Sequence, residues 1–229
     1  MKFKLVIFDL DGVLVNEPSA WGTLHHAFGT YEAYKKNLSA YEAGTIDYQE
    51  FMRRDIRLWG ERSINEVECV LLNFTLTENA LKTCEVLRQQ NYQLAILSAG
   101  IDILARAVSQ RLRIDHWIAN GLEVNEEGFL TGEGIFRVEL KAKDRALGKL
   151  IKPLAVELPD AVAVGDSKYD ISLMRSCGAG IAFIKCNASE QSLSWIEGWE
   201  RIFHFDDLPK AVSEIEESRI VGVDPIGKA

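Results

Sequence analysis

Two carboxylates follow directly after an apolar segment near the start of the chain. Asp9 and Asp11 stand one residue apart at the end of KLVIFD (4–9), a composition typical of a buried strand. A carboxylate that enters an apolar environment needs a charge partner, a proton or a metal ion. Two carboxylates at one place increase that need, so their spacing indicates a cation site or a reaction that uses both acids.

Polar residues also end two later apolar segments. Ser98 closes YQLAILS (92–98), and Asp166 closes DAVAVGD (160–166). In an open sheet of parallel strands, ligands bind beyond the carboxyl ends of the strands, where the winding reverses. We therefore expect Ser98 and Asp166 to join the two early acids at one edge of a sheet.

The predicted strands are nearly continuous apolar segments, which is typical of parallel strands that are covered on both faces. GIAFI (180–184) is a further predicted strand and IFHF (202–205) a weaker one, while residues 123–138 contain two turn signals and predict a small β excursion. Apolar residues at helical spacing, as in 101–112, separate the strands. This alternation predicts an α/β fold, a three-layer Rossmann-like core with a parallel sheet.

The segment after the first strand has a different character. Residues 15–78 contain no strand signal, and apolar and aromatic residues recur in them at helical spacing. We predict a small helical cap, or lid, that is inserted after the first strand. The catalytic core then consists of residues 1–14 and 79–229.

Composition excludes several broad classes of function. A net charge of −8 and a pI near 5.1 argue against binding to nucleic acid or to anionic membranes, because phosphates would be repelled. No segment approaches 18 consecutive apolar residues, so we predict a cytoplasmic protein. The cysteines lack the spacing of a zinc site and are predicted to be reduced core residues. They are Cys69, Cys84, Cys177 and Cys186.

The residue types at the predicted edge suit phosphoryl transfer. A carboxylate such as Asp9 can accept a phosphoryl group, and Asp11 would protonate the leaving oxygen and then take a proton from water. Asp9 and Asp166 suit a hard ion such as Mg²⁺, with the backbone carbonyl of Asp11 as a further ligand. Ser98 and the amide of Ala99, at a helix start, would hold phosphate oxygens. A lysine would complete the charge balance.

Four segments together resemble a known family. FDLDGVLV, ILSAG, KAKDRALGKL and VAVGDSKYDISLM are similar, in order, to the four motifs of the haloacid-dehalogenase-like phosphatases. The helical segment after the first motif, with IANGLEV and FLTGE later, is most similar to the phosphoserine-phosphatase-like branch. The resemblance covers most of the chain.

The resemblance implies a role for each matching residue. Lys143 is preferred to Lys141 as the phosphate contact because AKDRALGKL matches the family's AKxxxLxKI-like spacing, and Lys141 stays the alternative. The implied roles are Asp9 as nucleophile, Asp11 as acid and base, Ser98, Ala99 and Lys143 as phosphate contacts, and Asp9, Asp11, Asp166 and Asp170 in the magnesium site.

The chain departs from the phosphoserine phosphatases at three places. Gly12 stands where that branch usually has serine, and the glutamate for the substrate amine aligns nearer Pro18 than Glu17. The arginine for the substrate carboxylate falls at Asp55. Phosphoserine therefore remains one candidate among small phosphomonoesters. The charged candidates for substrate contacts in the lid are Glu17, Arg53, Arg54 and Arg57.

The resemblance and the residues predict a Mg²⁺-dependent phosphomonoester hydrolase that acts through an aspartyl-phosphate intermediate. Its predicted substrate is a small phosphorylated metabolite, with phosphoserine as one candidate. A phosphomutase acting on a sugar phosphate would share every core residue and is the first alternative. A phospho-accepting signalling or binding protein is the second, although such domains are shorter and lack a lid. The oligomeric state, monomer or homodimer, stays open.

Overall fold

The computed structural model describes residues 2–185 and 194–221. Within those ranges the strands and helices alternate as predicted from residue 79 onward. The strands are β1 (Leu5–Phe8), β2 (Gln93–Ile101), β3 (His116–Val124), β4 (Leu130–Ile135), β5 (Ala161–Gly165), β6 (Ala179–Phe183) and β7 (Glu200–Ile202). The helices are α1 (Ala20–Ala27), α2 (Tyr31–Glu42), α3 (Tyr48–Leu58), α4 (Ile64–Leu71), α5 (Ala80–Gln89), α6 (Asp102–Leu112), α7 (Asp144–Ile151), α8 (Ile171–Ser176) and α9 (Leu208–Val221).

The described strands form one sheet in the order β4-β3-β2-β1-β5-β6-β7. All neighbouring pairs are parallel except β3 and β4. Every residue of β1 and of β5 is buried, so both faces of the sheet are covered. Helix α5 packs against α6 and α9, and α7 packs against α8. The predicted three-layer α/β core is confirmed.

The position of β1 determines where a ligand can bind. Leu5 pairs with Gln93 of β2 on one side and with Ala161 of β5 on the other. The chain first winds from β1 toward β2 and β3, and it later returns to add β5, β6 and β7 on the opposite side. The carboxyl end of β1 is therefore the point of reversal, where a crevice opens in sheets of this type.

Strand β3 is the largest difference from the sequence prediction. Its first half pairs with β2, and its second half forms the antiparallel hairpin with β4 that was expected only as an excursion in 123–138. His116, Asn120 and Gly121 interrupt its apolar pattern, which hid the strand. The weak strand predicted at 202–205 lies earlier, at Glu200–Ile202, and a 3₁₀ turn follows it.

Four helices, α1 to α4, occupy the segment between β1 and α5, and only isolated bridges interrupt their helical character. The chain enters and leaves this segment side by side. The amide of Asn16 donates to the Thr75 carbonyl, and the amide of Thr77 donates to the Leu14 carbonyl, both at 2.9 Å. This arrangement suits an insertion on two adjacent linkers. The boundaries of the lid at 15–78 and of the core at 1–14 and 79–229 stay a prediction.

Among the described residues, no helix combines the length and the apolar character that a membrane span requires. Cys69 is exposed, whereas Cys84 and Cys177 are buried as expected for core residues. Burial raises the pKa of both buried thiols to about 12, which keeps them protonated and unreactive. The prediction for Cys186 lies outside the described residues.

Candidate active site

Polar residues near the carboxyl ends of the central strands lie around one cavity of about 290 Å³. Asp9 follows β1 directly, Ser98 lies in the carboxyl half of β2, and Asp166 follows β5. Asp11, two residues beyond Asp9, lines the same cavity. The parallel register of the three strands brings these residues together at the predicted edge, although Ser98 lies within β2 and not at its end.

Lys143 stands at the start of α7, and its side chain is almost completely buried, with 2% exposed. Its Nζ lies 2.8 Å from Oδ1 of Asp9 and 2.6 Å from Oδ1 of Asp170. Burial alone would lower the pKa of Lys143, but the charges of Asp170 and Asp9 raise it above its ordinary value. Lys143 therefore supplies a permanent positive charge beside Asp9.

Lys141, the alternative lysine, has a different environment. Its Nζ donates to the backbone carbonyls of Tyr41 at 3.0 Å and Glu42 at 2.9 Å, at the carboxyl end of α2. The last carbonyls of a helix lack partners within the helix and attract cations. Lys141 thus ties the end of α2 to the core and does not line the cavity.

Asp170 is buried, and both of its oxygens have partners. Oδ1 accepts from Lys143, and Oδ2 accepts from the amides of Asp166 and Ser167 at 3.1 and 3.0 Å and from the Ser167 hydroxyl at 3.0 Å. Asp170 therefore fixes the loop after β5 and holds the charged end of Lys143 toward Asp9.

Three carboxylates, those of Asp9, Asp166 and Asp170, each place an oxygen within 4.8 Å of the others. Burial, together with the charge of Asp170, raises the pKa of Asp9 to about 6, although Lys143 opposes the rise. Burial and the charges of Asp170 and Asp9 raise the pKa of Asp166 well above its ordinary value. Burial and the neighbouring negative charges together outweigh the attraction of Lys143 at Asp9 and Asp166. A buried cluster of carboxylates in this state fits a divalent metal ion.

Asp11 lies outside that cluster of side chains. Its Oδ1 accepts a hydrogen bond of 2.9 Å from the amide of Ala20, in the first turn of α1. Burial raises the pKa of Asp11 to about 7, and the charge of Asp9 contributes to the rise. A carboxyl group that holds a proton near neutral pH is suited to exchange protons with a bound substrate.

Gly12 allows the loop that follows β1 to approach the Asp166 side chain, which follows β5. Its φ of +78° belongs to the left-handed region, and a Cβ at this position would overlap the carboxylate of Asp166. A larger residue at position 12 would require the Asp166 carboxylate to move, and glycine leaves that carboxylate its place beside Asp9.

The expected helix start at Ser98 and Ala99 is wrong. Strand β2 continues to Ile101 and α6 begins at Asp102, because the apolar pattern of the strand extends through buried Ile101. The carbonyl of Ala99 instead accepts from side chains of Trp21, Tyr48 and Asn120. The amide of Gly100 donates to the Ser98 hydroxyl at 2.9 Å.

The lid contributes a largely apolar wall to the cavity, which the sequence indicated only through Trp21 and Tyr48. Trp21 and Phe51 lie with ring centroids 6.2 Å apart, and Tyr48 stacks on Phe51 at 5.4 Å. The pattern of helical spacing placed these residues on buried helix faces, but it could not show that the faces meet at a cavity. Pro18, to which the substrate-amine contact aligned, also lines the cavity. Further lining residues that sequence reasoning missed are Ser19, Tyr34, Leu38, Leu140, Ser167 and Tyr169.

The structure does not bring the charged lid candidates together with the site. Arg53 and Arg54 both pair with Glu50 on the exposed face of α3, and Arg57 lies 2.6 Å from Glu133. Glu17 accepts from the amide of Thr75. None of these four candidates lines the cavity.

Comparison with known proteins gives concordant findings. The chain matches the haloacid dehalogenase-like hydrolase family over residues 6–175. A phosphoserine phosphatase of Methanocaldococcus jannaschii is 35% identical over 184 residues, which cover 80% of this chain and 86% of that protein. A phosphoserine phosphatase of Lactococcus lactis is 27% identical over 192 residues, or 83% of this chain and 88% of that protein.

A solved structure described as a phospho-aspartyl intermediate analogue of phosphoserine phosphatase is also similar. It superposes with a TM-score of 0.74 at 30% identity and covers 93% of this chain and 99% of its own. A substrate-bound phosphoserine phosphatase complex gives a TM-score of 0.73 at 30% identity, covering 95% and 98%.

Proposed function

Since this chain belongs to the haloacid dehalogenase-like hydrolases and is a phosphatase of that type, we propose that it is a magnesium-dependent phosphomonoester hydrolase. Its substrate is a small phosphorylated metabolite. The observation that carries the proposal is the placement of Asp9, which lies 2.8 Å from the Lys143 ammonium and shares a carboxylate cluster with Asp166. Phosphoserine is a candidate because the similar proteins are phosphoserine phosphatases.

Asp9 is the nucleophile of the proposed reaction. One of its oxygens attacks phosphorus, the bond from phosphorus to the alcohol oxygen breaks, and the phosphoryl group remains on Asp9 as an aspartyl phosphate. Water then attacks phosphorus, so that inorganic phosphate leaves and the Asp9 carboxylate is regenerated. The similarity to the phospho-aspartyl intermediate analogue supports this route.

Asp11 and Lys143 assist Asp9 with a proton and a charge. Protonated Asp11 gives its proton to the alcohol oxygen as that oxygen leaves, and it later removes a proton from the attacking water. Lys143 and the Ser98 hydroxyl hold phosphoryl oxygens, whose negative charge grows during the transfer. The buried position of Lys143 strengthens this interaction, because little water competes for its charge.

The acid cluster is proposed to hold Mg²⁺. Asp9 and Asp166 would supply carboxylate oxygens and Asp11 a backbone carbonyl, whereas Asp170, whose oxygens are already bonded, would act on the site through Lys143 and the loop after β5. When bound, Mg²⁺ would neutralise charge on the phosphoryl oxygens, which reduces their repulsion from Asp9.

Removal of metal tests the proposal directly. We expect the purified chain to hydrolyse p-nitrophenyl phosphate over many turnovers with Mg²⁺, to lose that activity in EDTA and to regain it with excess Mg²⁺. Ca²⁺ is expected to inhibit, since it favours more ligands at longer distances. Mg²⁺ should also raise the melting temperature of the wild type but not of Asp166→Asn. Full activity in excess chelator would refute the metal requirement.

The two lysines provide a matched pair of substitutions. Lys143→Met should lower kcat by about 10²–10³-fold, because the buried charge beside the phosphoryl group is lost. Lys141→Met removes the same charge at the end of α2 and should leave kcat within about threefold of the wild type. Steady-state rates with p-nitrophenyl phosphate and melting curves of both variants give the answer. The opposite ranking of the two variants would assign the phosphate contact to Lys141.

A further inference from the structure

The cavity has two chemically different ends. Asp9, Asp11, Asp166 and Lys143 form a charged floor at the edge of the sheet, whereas helices α1 to α3 contribute rings and an aliphatic side chain opposite it. The reacting phosphoryl group belongs to the floor, where the nucleophile lies. The alcohol that leaves must therefore occupy the part that the lid encloses.

The aromatic wall offers a substrate little beyond ring surface. The indole N–H of Trp21 and the hydroxyl of Tyr48 both donate to the Ala99 carbonyl, at 3.2 and 2.8 Å. Their polar atoms are thus committed to β2, and these hydrogen bonds also fix the rings. Rigid aromatic surface of this kind favours apolar groups.

Among the described residues, the part of the cavity that the lid encloses also lacks charge. Lys143 is the one cationic side chain of the described lining, and it is bound to Asp9 and Asp170. The lining acids all belong to the floor, where the metal and the reaction require them. Opposite the floor, Ser19 and Tyr34 provide neutral hydroxyl groups.

Cations near the lid are already engaged elsewhere. Lys141 is bound to the carbonyl oxygens at the end of α2, and Lys168 lies 2.7 Å from the carboxylate of Glu42. The arginines of α3 pair with acids on outward faces, as described above. Lys185, whose charge acts on Asp166, donates to the carbonyls of Val15 and Asn16 at 3.3 and 3.2 Å. Among the described residues, a carboxylate carried on the alcohol would therefore lose its water in this cavity without meeting an uncommitted cation, which is costly.

We propose that the substrate is a phosphomonoester of an uncharged alcohol with an apolar, aromatic or branched aliphatic body. This inference rests on the proposed phosphatase activity and concerns only the leaving group. The cavity of about 290 Å³ is at the lower limit of ordinary ligand pockets, which limits that body to about one ring. A zwitterionic alcohol such as serine fits this wall poorly.

A comparison of three substrates tests the proposal. Benzyl phosphate and phosphoserine are both esters of primary alcohols, so their leaving groups differ mainly in charge and in the apolar body. With Mg²⁺ present, kcat/KM should be at least about 10²-fold higher for benzyl phosphate than for phosphoserine. The third substrate, p-nitrophenyl phosphate, needs little protonation and reports whether the phosphatase chemistry itself operates.

A positive charge introduced at Leu38 tests the preference for an uncharged leaving group. It lies half-buried on α2 and lines the cavity. Leu38→Arg should lower the benzyl-to-phosphoserine ratio of kcat/KM by about tenfold or more, since a guanidinium would pair with the serine carboxylate. Leu38→Met should keep benzyl phosphate as the preferred substrate, because it changes shape without charge. Arg53→Ala, on the outer face of α3, should leave the ratio unchanged.

The outcomes separate the two proposals. If p-nitrophenyl phosphate is hydrolysed and phosphoserine equals or exceeds benzyl phosphate in kcat/KM, the uncharged leaving group is refuted while the phosphatase function stands. A loss of phosphoserine turnover in Arg53→Ala would likewise refute it. If no phosphomonoester is hydrolysed, the proposed function fails and this inference fails with it.

Discussion

Asp9→Asn is expected to abolish turnover and to lower kcat by at least about 10⁴-fold, the scale on which loss of a nucleophile is observed. The amide is almost the same size as the carboxylate, but it is a poor nucleophile and carries no charge for a metal. Lys143 keeps its ion pair with Asp170, so the variant should fold with its site in place. Steady-state hydrolysis of p-nitrophenyl phosphate with Mg²⁺ measures the loss.

Asp115→Asn is the matched control for that substitution. Asp115 is exposed and directly precedes β3. It therefore lies at the amino end of that strand, at the edge of the sheet opposite the cavity. It should retain the wild-type rate. Rapid denaturation during turnover should also trap a phosphorylated chain in the wild type and none in Asp9→Asn. A wild-type rate in Asp9→Asn would exclude the covalent mechanism.

The placement of Asp9 and Asp166 could be predicted because it depends on the sheet alone. Segments that are apolar at nearly every position require cover on both faces, and this makes them parallel strands whose carboxyl ends share an edge. A residue that ends such a strand is therefore located without knowledge of any other contact. The same reasoning missed β3, since its polar residues form buried hydrogen bonds, as Asn120 does with the Ala99 and Val138 carbonyls.

The contacts of the lid could not be predicted because helix rotation and partner choice depend on tertiary packing. Arg53 and Arg54 were expected to contact the substrate, yet both pair with Glu50 three and four residues earlier. Only the structure shows that α3 turns this face outward and presents Phe51 to the cavity. Lys141 and Lys143 are two residues apart, and spacing could not reveal that Lys141 binds helix carbonyls whereas Lys143 lies in the site.

Asp11→Asn is expected to slow turnover by an amount that depends on the leaving group. The variant loses the proton donor for the alcohol oxygen and the base for water, a loss typically of about 10²–10⁴-fold. A phosphate ester of an alkyl alcohol needs that proton, because an alkoxide is a poor leaving group. p-Nitrophenolate leaves readily without one. The fall in kcat/KM should therefore be at least about tenfold larger for benzyl phosphate than for p-nitrophenyl phosphate.

The geometry around Asp11 makes this comparison interpretable. The side-chain oxygen of asparagine can still accept from the Ala20 amide, so the start of α1 and the lid should keep their positions. The proposed metal contact of residue 11 is a backbone carbonyl and is unaffected. Inhibition by inorganic phosphate should consequently match the wild type. Equal losses of kcat/KM for both esters would show that Asp11 does not protonate the leaving group. A fall in kcat together with a burst of p-nitrophenolate would in addition locate a loss in hydrolysis of the aspartyl phosphate, where Asp11 acts as base.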